Sequence, residues 1–592
     1  MKRKFLLLAL ILSSWLVFPV EIMKLADVKV GMEGEGRTIF KGSQIETFTC
    51  RVLGVIENFS PGKNLIIMEL DAAALKDGGV IAGMSGSPVY ITGKLVGSVS
   101  YGFSFSKKPI AGITPIEDII KVSDHNAPAY EIDISNIKVE FSRESNRRVG
   151  EFIQSELKKR AGFSPLANFE PIKLVASGRG INPEMMASFM PVLTPGLGLN
   201  QKLTIEAKKA GESLFTVSPA DAVSIPLVRG DFEYSYTGTV THVDGNKVYV
   251  FGHPLFNLGR IDFPLHRADV VAVVPSYETS FKLVASRNPI GTVLQDRFSG
   301  VQGELGKTPT MIPLKVFLKN RNKTYNLEII NHPMLSPALT YVSLMSIFTA
   351  EYQQYGFQSL TVNGKIFVEN EDNVVINDLY SGANAFDDFS NLMMAINFFL
   401  LNNKERNVRI QKIDLEISNL EKIKRADLEN VLVEKNLYLP GEAINVSLYL
   451  KNEQGENFQE RLTIKVPNLQ PGSSFYLLAA DATEMMDFDA KVIKTGFFPG
   501  RLSALIRAIN NLRRNNRVYF KLFIPSQGLF IKGYEYPHLP SSLNNVLAYN
   551  AASRDQSSLM VSTITEYQYE LPAVVSGKKI IKIKIKARKD EP

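Results

Sequence analysis

Cysteine is almost absent from this chain. Its 592 residues include one cysteine, Cys50, so no disulfide can form within the chain and packing alone must hold its cores together. Cys50 lies in the alternating run Glu46–Val52. This pattern is typical of a strand, and we interpret Cys50 as a small apolar strand residue rather than as a catalytic thiol.

Concentrated charge and low-complexity sequence are also lacking. The net charge is +7 over the whole chain, and the positive residues are scattered except at the two ends. No basic stripe with interleaved aromatic residues occurs, which argues against nucleic acid as a partner. With 45% hydrophobic and 21% charged residues, the composition is that of a globular protein, and the length predicts several domains.

Long apolar runs are missing except at the N-terminus. The basic stretch Met1–Lys4 precedes the apolar run Phe5–Val20, which predicts an export signal. As a helix, this run would span roughly 24 Å, short of the ~30 Å hydrocarbon core of a bilayer. We therefore expect residues 1–22 to be a signal peptide, cleaved as the protein reaches the periplasm, the cell surface or the medium. Because no clear cleavage site follows, an uncleaved tether to the inner membrane is the alternative.

Short β-branched runs, separated by glycines and prolines, dominate two regions of the chain and predict a mainly β protein. Strands dominate again near the C-terminus, where Leu439–Leu450 has the turn and the alternation of an immunoglobulin-like sandwich. The predicted organisation is a signal or anchor at 1–22, a β-rich unit at 23–125, a mixed connecting segment at 126–216, a second β-rich unit at 217–320, a helical and β extension at 321–425, an Ig-like sandwich at 426–480 and a C-terminal β-rich domain at 481–592.

A candidate nucleophile lies in the segment Gly83-Met-Ser-Gly-Ser-Pro88. A serine nucleophile needs its hydroxyl on a tight turn, flanked by backbone N–H groups that can bind the developing oxyanion. Gly83 and Gly86 permit the required dihedral angles, and Pro88 begins a strand. The segment has the form of the G-x-S-G-x-P turn of chymotrypsin-like peptidases, with Ser85 as the nucleophile. A purely structural turn between strands is the alternative.

A candidate general base is His253, one of six histidines. It follows an apolar strand and a glycine in the run Val248–Leu255, and such a strand end holds a side chain rigidly, as a general base requires. The sequence has no His-x-x-x-His motif and no cysteine pair, so we expect no metal site and no cofactor.

Together these segments resemble the peptidase domain of the SpoIVB-type serine peptidases, the family of stage IV sporulation protein B. The similarity extends over roughly a third of the chain and falls into a serine-bearing half and a histidine-bearing half. The matching elements are Gly42–Phe48, Gly78–Val80, Gly83–Pro88, Gly93–Gly97, Gly238–Thr241, Phe251–His253, Ile290–Thr292 and Phe298–Gly300.

The resemblance implies a chymotrypsin-like double β-barrel in which Ser85 is the nucleophile and His253 the base. The family's acid falls on Asp71, with Asp77 as the second candidate, and the N–H groups of Gly83 and Ser85 would form the oxyanion hole. The two halves stand in the reverse of the family's order, as in a circular permutation. No PDZ domain precedes the histidine half, so a role in sporulation signalling does not carry over.

The implied function is that of an exported serine endopeptidase that forms an acyl-enzyme on protein or peptide substrates. We also expect the strand Val96–Tyr101, just downstream of the serine turn, to offer an edge along which an extended substrate pairs. Two alternatives stay open. One is a catalytically silent envelope protein that binds partners through its peptidase-like and Ig-like domains, and the other is a protein that cleaves only itself.

Overall fold

The computed structural model describes residues 20–586 except 104–105, 125–131, 133, 135–136, 138, 140, 162–168, 173–174, 181–215, 278, 353–357, 404–407, 421, 493–500, 532–533, 537–538, 541 and 544–555. Strands account for 53% of the residues and helices for 20%, which confirms the mainly β class. The export signal predicted at 1–22 lies almost wholly outside the described residues. No helix in the described part combines the length and the apolar character needed to cross a membrane.

The first β-rich unit is a closed barrel. Its six strands are β1 (Glu33–Lys41), β2 (Gln44–Ser60), β3 (Lys63–Asp71), β4 (Pro88–Ile91), β5 (Lys94–Phe103) and β6 (Ile110–Pro115). They pair antiparallel in the order β4–β1–β2–β3–β6–β5, and β4 also pairs with β5, so the sheet closes on itself. Closure encloses an apolar core, and β5 continues past the end of its pairing with β4.

Cys50 occupies the position that its sequence pattern predicts. It lies on β2, where the alternate residues Phe48, Cys50 and Val52 face the barrel core. Burial raises the pKa of the Cys50 thiol to about 12, and the nearby carboxylate of Glu35 acts in the same direction. The thiol is therefore protonated and unreactive in the folded protein.

The second β-rich unit is a closed barrel of the same kind. Two short strands precede it, β7 (Phe169–Pro171) and β8 (Val175–Arg179), and its own strands are β9 (Ala222–Gly230), β10 (Glu233–Asp244), β11 (Lys247–Val250), β12 (Gly259–Val274), β13 (Phe281–Arg297) and β14 (Gly300–Leu305). The ring runs β9–β12–β13–β14–β11–β10, and β10 returns to β9. The chain thus contains the two six-stranded barrels of the predicted chymotrypsin-like fold.

The connecting segment contributes to both barrels. The helix Ile116–Ile120 follows β6, and the helix Arg143–Ala161 packs against the helix Ala385–Leu401. Farther along, β7 pairs with β5 of the first barrel and β8 pairs with β10 of the second. Residues 181–215 of this segment lie outside the described residues.

The second sheet continues beyond its barrel. It is extended by β15 (Met311–Leu318), β16 (Lys323–Ile330), β17 (Gln358–Val368), β18 (Val374–Gly382) and β19 (Ile410–Leu420), of which β16 pairs with β9. The helices Leu335–Tyr352 and Ala385–Leu401, which the sequence pattern predicts, pack against each other. Their apolar residues join those of the second barrel in one continuous core.

The C-terminal strands form two further sheets. These strands are β20 (Arg425–Val433), β21 (Leu437–Tyr438), β22 (Ala443–Asn452), β23 (Asn457–Lys465), β24 (Ser474–Ala480), β25 (Arg517–Ile531), β26 (Tyr534–Tyr536), β27 (Gln556–Glu570), β28 (Val574–Ser576) and β29 (Lys578–Ile585). One sheet has the order β23–β22–β20–β28, and the other joins β24 to β25 and β29. Both contribute to one core. The boundary predicted at residue 480 therefore falls inside a sheet, because β24 pairs with strands that follow it in the chain.

The C-terminal sheets are fixed to the body of the protein. The helix Leu502–Asn510 packs its apolar face against β18 and the helix Ala385–Leu401, while the helix Ala482–Val492 lies on β25 and β27. The backbone N–H of Asn515 donates a hydrogen bond of 2.8 Å to the carboxylate of Asp378 on β18. Burial raises the pKa of Asp378 to about 7, against the effect of this hydrogen bond.

The single thiol offers a test of the first barrel. At pH 8, Cys50 should react with iodoacetamide about a thousandfold more slowly in the native protein than in guanidinium chloride, since raising the thiol pKa from 9 to about 12 lowers the thiolate fraction by that factor. The label is counted by mass spectrometry, and no other cysteine contributes. Rapid native alkylation would contradict the burial of this strand face.

Candidate active site

The serine turn lies at the junction of the two barrels. Gly83 and Gly86 both have φ of +94°, a backbone conformation that disfavours residues with a Cβ. A Cβ on Gly86 would lie 2.0 Å from the carbonyl oxygen of Thr239 on β10. Glycine at this position thus serves two needs, since it permits the turn and lets the second barrel approach its backbone.

The second barrel holds the carbonyl groups of the serine turn. The backbone N–H of Thr239 donates to the Ser85 carbonyl at 2.8 Å, and the Thr239 hydroxyl donates to the Gly83 carbonyl at 3.0 Å. The hydroxyl of Thr241 donates to the Gly86 carbonyl at 2.8 Å. Three carbonyls in one turn are thereby directed toward β10, which fixes the orientation of the peptide groups around Ser85.

The Ser85 hydroxyl meets the imidazole of His253 across this junction. Ser85 Oγ lies 2.5 Å from His253 Nε2 and 3.0 Å from the Phe251 carbonyl oxygen. The hydroxyl has one proton and two acceptors, and the contact with the imidazole is the shorter. Ser85 is 0% exposed and His253 is 1% exposed, so the pair is shielded from water in this state.

The backbone conformation before His253 orients its side chain toward Ser85. Phe251 and Gly252 follow β11 with φ of 71° and 68°, so the chain turns sharply before the histidine. Any side chain at position 252 would collide with Ser98 and Ser100, because a Cβ there would lie 2.1 Å and 2.2 Å from their hydroxyl oxygens. The glycine of the Gly-His pair is thus required both by its dihedral angle and by the space available.

The protonation of His253 follows from its second ring nitrogen. Nδ1 lies 2.8 Å from the carbonyl oxygen of Pro254, so we assign the ring proton to Nδ1, which donates to this carbonyl. Nε2 is then free to accept a proton from Ser85. Burial lowers the pKa of His253 to about 4, and the Pro254 carbonyl opposes that shift. The imidazole is therefore neutral at pH 7, as a general base must be.

The structure does not bring the predicted acid to the histidine. Asp71 is exposed at the end of β3, where it pairs with Thr49 in the ladder with β2. Asp77, the second candidate, is also exposed. Among the described residues, neither carboxylate has a hydrogen bond to His253. The assignment of Asp71 is corrected here, because the end of β3 directs this residue to solvent rather than toward the barrel junction.

A buried acid that the sequence analysis missed lies close to His253. The carboxylate of Asp296, on β13, accepts backbone hydrogen bonds from Leu255 at 2.7 Å, Phe256 at 2.8 Å and Leu258 at 3.1 Å. Burial raises the pKa of Asp296 to about 6, and the backbone N–H donors oppose this rise. Asp296 fixes the loop that begins with Pro254 and so holds the carbonyl that orients His253. In the sequence, the only indication of its importance was its position between Ile290–Thr292 and Phe298–Gly300, two segments that resemble the family.

The N–H groups predicted to bind the oxyanion have no hydrogen-bond acceptor within the part of the chain that the structure describes. No hydrogen bond is found there for the backbone N–H of Gly83 or of Ser85, while the neighbouring N–H groups of Met84 and Gly86 are bonded. Unpaired N–H groups beside a nucleophile are suited to bind a developing negative charge. Their pairing with an oxyanion stays a prediction.

A second buried network lies on the other side of the turn. Lys282 Nζ donates to Thr38 Oγ1 at 2.8 Å, and Ser87 Oγ also contacts Thr38 Oγ1, at 2.9 Å. Burial lowers the pKa of Lys282 to about 7, although Glu46 raises it. The side chain of Lys282 packs beside Gly83, so it supports the turn without a hydrogen bond to Ser85.

Two closed barrels with a serine–histidine pair at their junction define a protein of the chymotrypsin-like double-barrel class. Residues 17–120 match the family model described as SpoIVB peptidase S55, which confirms the resemblance for this segment. The match includes the serine turn and ends before His253, so the reversed order of the halves stays a prediction. No curated protein and no solved structure matches the chain.

The clamp formed by Asp296 can be tested by stability. We expect Asp296→Ala to lower the free energy of unfolding by about 3 kcal/mol or more, because three buried N–H groups lose their acceptor. Urea unfolding followed by circular dichroism measures the change. Asp71→Ala is the matched control and should alter stability by less than about 0.5 kcal/mol, since that carboxylate is exposed. Equal effects would contradict the clamp.

Proposed function

We propose that this protein is an exported serine endopeptidase, with Ser85 as its nucleophile and His253 as its general base. The observation that carries the proposal is the 2.5 Å contact between Ser85 Oγ and His253 Nε2, residues that lie 168 positions apart in the chain. Export rests on the N-terminal apolar run, and the permuted order of the halves rests on the closure of both barrels around this contact.

In the proposed reaction, Nε2 of His253 accepts the Ser85 proton as Oγ attacks the carbonyl carbon of a substrate peptide bond. The oxyanion is bound by the N–H groups of Gly83 and Ser85. The imidazolium then donates its proton to the leaving amine, and an acyl-serine ester forms. His253 deprotonates a water molecule that attacks this ester, and the imidazolium then donates the proton to Ser85 Oγ as the ester bond breaks and the acid leaves.

The orientation of His253 differs from that of a Ser-His-Asp triad. The Pro254 carbonyl holds Nδ1–H, and a neutral carbonyl stabilises an imidazolium less than a carboxylate does. We therefore propose that Asp296 acts as a positioning residue through the loop that follows His253. Among the described residues no carboxylate contacts Nδ1, which also supports a catalytically silent protein as the second candidate function.

A fluorophosphonate probe distinguishes the two candidates. The chain without residues 1–22 should be labelled on Ser85, and Ser85→Ala should abolish the labelling. Ser87→Ala is the matched control, because Ser87 is a buried serine of the same turn that contacts Thr38 instead of His253. It should retain labelling within about fivefold. No label in the wild-type chain would favour the silent protein, and a mass shift specific to wild type would indicate self-cleavage.

The low pKa of His253 predicts an unusual pH profile. Labelling should stay constant from pH 8 to about pH 5 and fall with a midpoint near pH 4, where the imidazole takes up the proton that blocks Nε2. Because the unfolded chain binds this proton near pH 6.5, stability should also decline between pH 6.5 and pH 4, by up to about 3 kcal/mol. Circular dichroism at each pH separates the two effects. A labelling midpoint between pH 6 and 7 would contradict the assignment.

A further inference from the structure

One edge of β5 leads directly away from the serine turn. Along its other edge, β5 pairs with β6 through Gly97–Gly102. The edge near Ser85 pairs first with β4 and then with the turn itself, since Gly86 N–H donates to the Val99 carbonyl at 2.8 Å and Val99 N–H donates to Ser87 at 3.0 Å. Beyond Val99, no strand of the barrel ring covers this edge.

A short segment from between the two barrels lies on that edge. β7 runs antiparallel to β5, with Glu170 opposite Gly102 and Pro171 opposite Tyr101. The backbone N–H of Ile172 then donates to the Ser100 carbonyl at 2.9 Å. The segment thus continues the hydrogen-bonded ladder up to the residue next to Val99, which itself pairs with the serine turn. A bound peptide adds to a sheet edge in the same manner.

The side chain of Ile172 occupies an apolar subsite beside the turn. Ile172 is buried and belongs to the core of the first barrel. A Cβ on Gly102 would lie 3.7 Å from Ile172 Cγ1 and 3.8 Å from the Cβ of Val80, so the glycine leaves the space in which these two side chains meet. A cavity of about 270 Å³, also lined by Ala82 and Phe103, adjoins the subsite.

The same segment extends from the serine-bearing barrel to the histidine-bearing barrel. Shortly after Ile172, β8 pairs with β10, with Val175 opposite Thr237. Tyr101, the partner of Pro171, has its ring 6.5 Å from the ring of His253. The strands β7 and β8 thus lie on the two barrels whose junction holds Ser85 and His253.

We propose that Phe169–Ile172 is an intramolecular substrate mimic that occupies the peptide-binding edge of β5 and competes with substrates. The proposal rests on the proposed function of Ser85. It implies that substrates are extended peptides with a branched apolar residue in the place of Ile172 and that they bind once the segment is displaced. It also revises the expected substrate edge from Val96–Tyr101 to Ser100–Phe103, because the earlier part of β5 is paired on both sides.

The described contacts of Glu170, Pro171 and Ile172 suggest how the mimic could be displaced. Pro171 has no N–H to donate, Glu170 is exposed, and Ile172 supplies the buried apolar contact. An occupant that belongs to the same chain nevertheless competes well, because covalent connection gives it an effective concentration in the millimolar range. Removing the apolar contact of Ile172 should therefore shift the balance toward external peptides.

The first experiment compares two equally buried residues of the segment. We expect Ile172→Asp to increase the rate of fluorophosphonate labelling at Ser85 at least tenfold over wild type, and Ile172→Ala to give an intermediate increase. Val175→Asp is the matched control, because Val175 has the same exposure but belongs to β8. Thermal unfolding checks that each variant is folded. Provided that the wild-type chain is labelled on Ser85, an equal increase in Val175→Asp, or none in either Ile172 variant, would overturn the proposal.

The second experiment does not depend on catalysis. A fluorescein-labelled peptide with the sequence Phe-Glu-Pro-Ile and an amidated end is added to the chain that carries both Ser85→Ala and Ile172→Asp. Fluorescence anisotropy should show that this peptide binds the double variant at least tenfold more tightly than it binds the Ser85→Ala variant. The double variant should also bind it tenfold more tightly than it binds a control peptide that ends in Asp instead of Ile. Equal affinity in both protein variants and for both peptides would overturn the proposal that Phe169–Ile172 mimics a substrate, even if Ser85 is active. Selective peptide binding without fluorophosphonate labelling would support peptide binding along β5 and would show that Ser85 is inert.

Discussion

The contact between β10 and the carbonyl groups of the serine turn is the constraint on which the rest of the site depends. Each barrel closes on its own strands, but neither can place Ser85 beside His253 without the other. Thr239 and Thr241 bind the carbonyls of Gly83, Ser85 and Gly86, and the strand that follows β10 delivers His253 to the same place. The junction is therefore built from hydrogen bonds between barrels, and chain order has no part in it.

Sequence reasoning could reach the barrels and the pair because both depend on local signals. Alternating β-branched runs, glycines with positive φ and a histidine after a strand end each leave a mark within a few residues. The serine segment also lies within the residues that match the SpoIVB peptidase family model, and the histidine segment resembles the same family on a short motif. What sequence could not show is the pairing between strands far apart in the chain, such as that of β24 with β25 and β29.

The choice between Asp71 and Asp296 illustrates the same limit of sequence reasoning. Spacing along the chain pointed to Asp71, but the end of β3 turns this carboxylate to solvent. Asp296 lies more than forty residues after the histidine, in a strand whose neighbours are paired by the barrel ring, and burial together with three N–H donors identifies it. A carboxylate can thus control an imidazole by holding the peptide group that the imidazole contacts, without touching the ring.

The attachment of the C-terminal sheets to the rest of the protein has a consequence for anything that these sheets bind. Because the helix Leu502–Asn510 shares a core with the second barrel and Asn515 is bonded to Asp378, these sheets do not swing on a flexible joint. Whatever they bind would be held at a constant distance and direction from Ser85. A chain bound there would therefore reach Ser85 only with the part that lies at this distance from the C-terminal sheets.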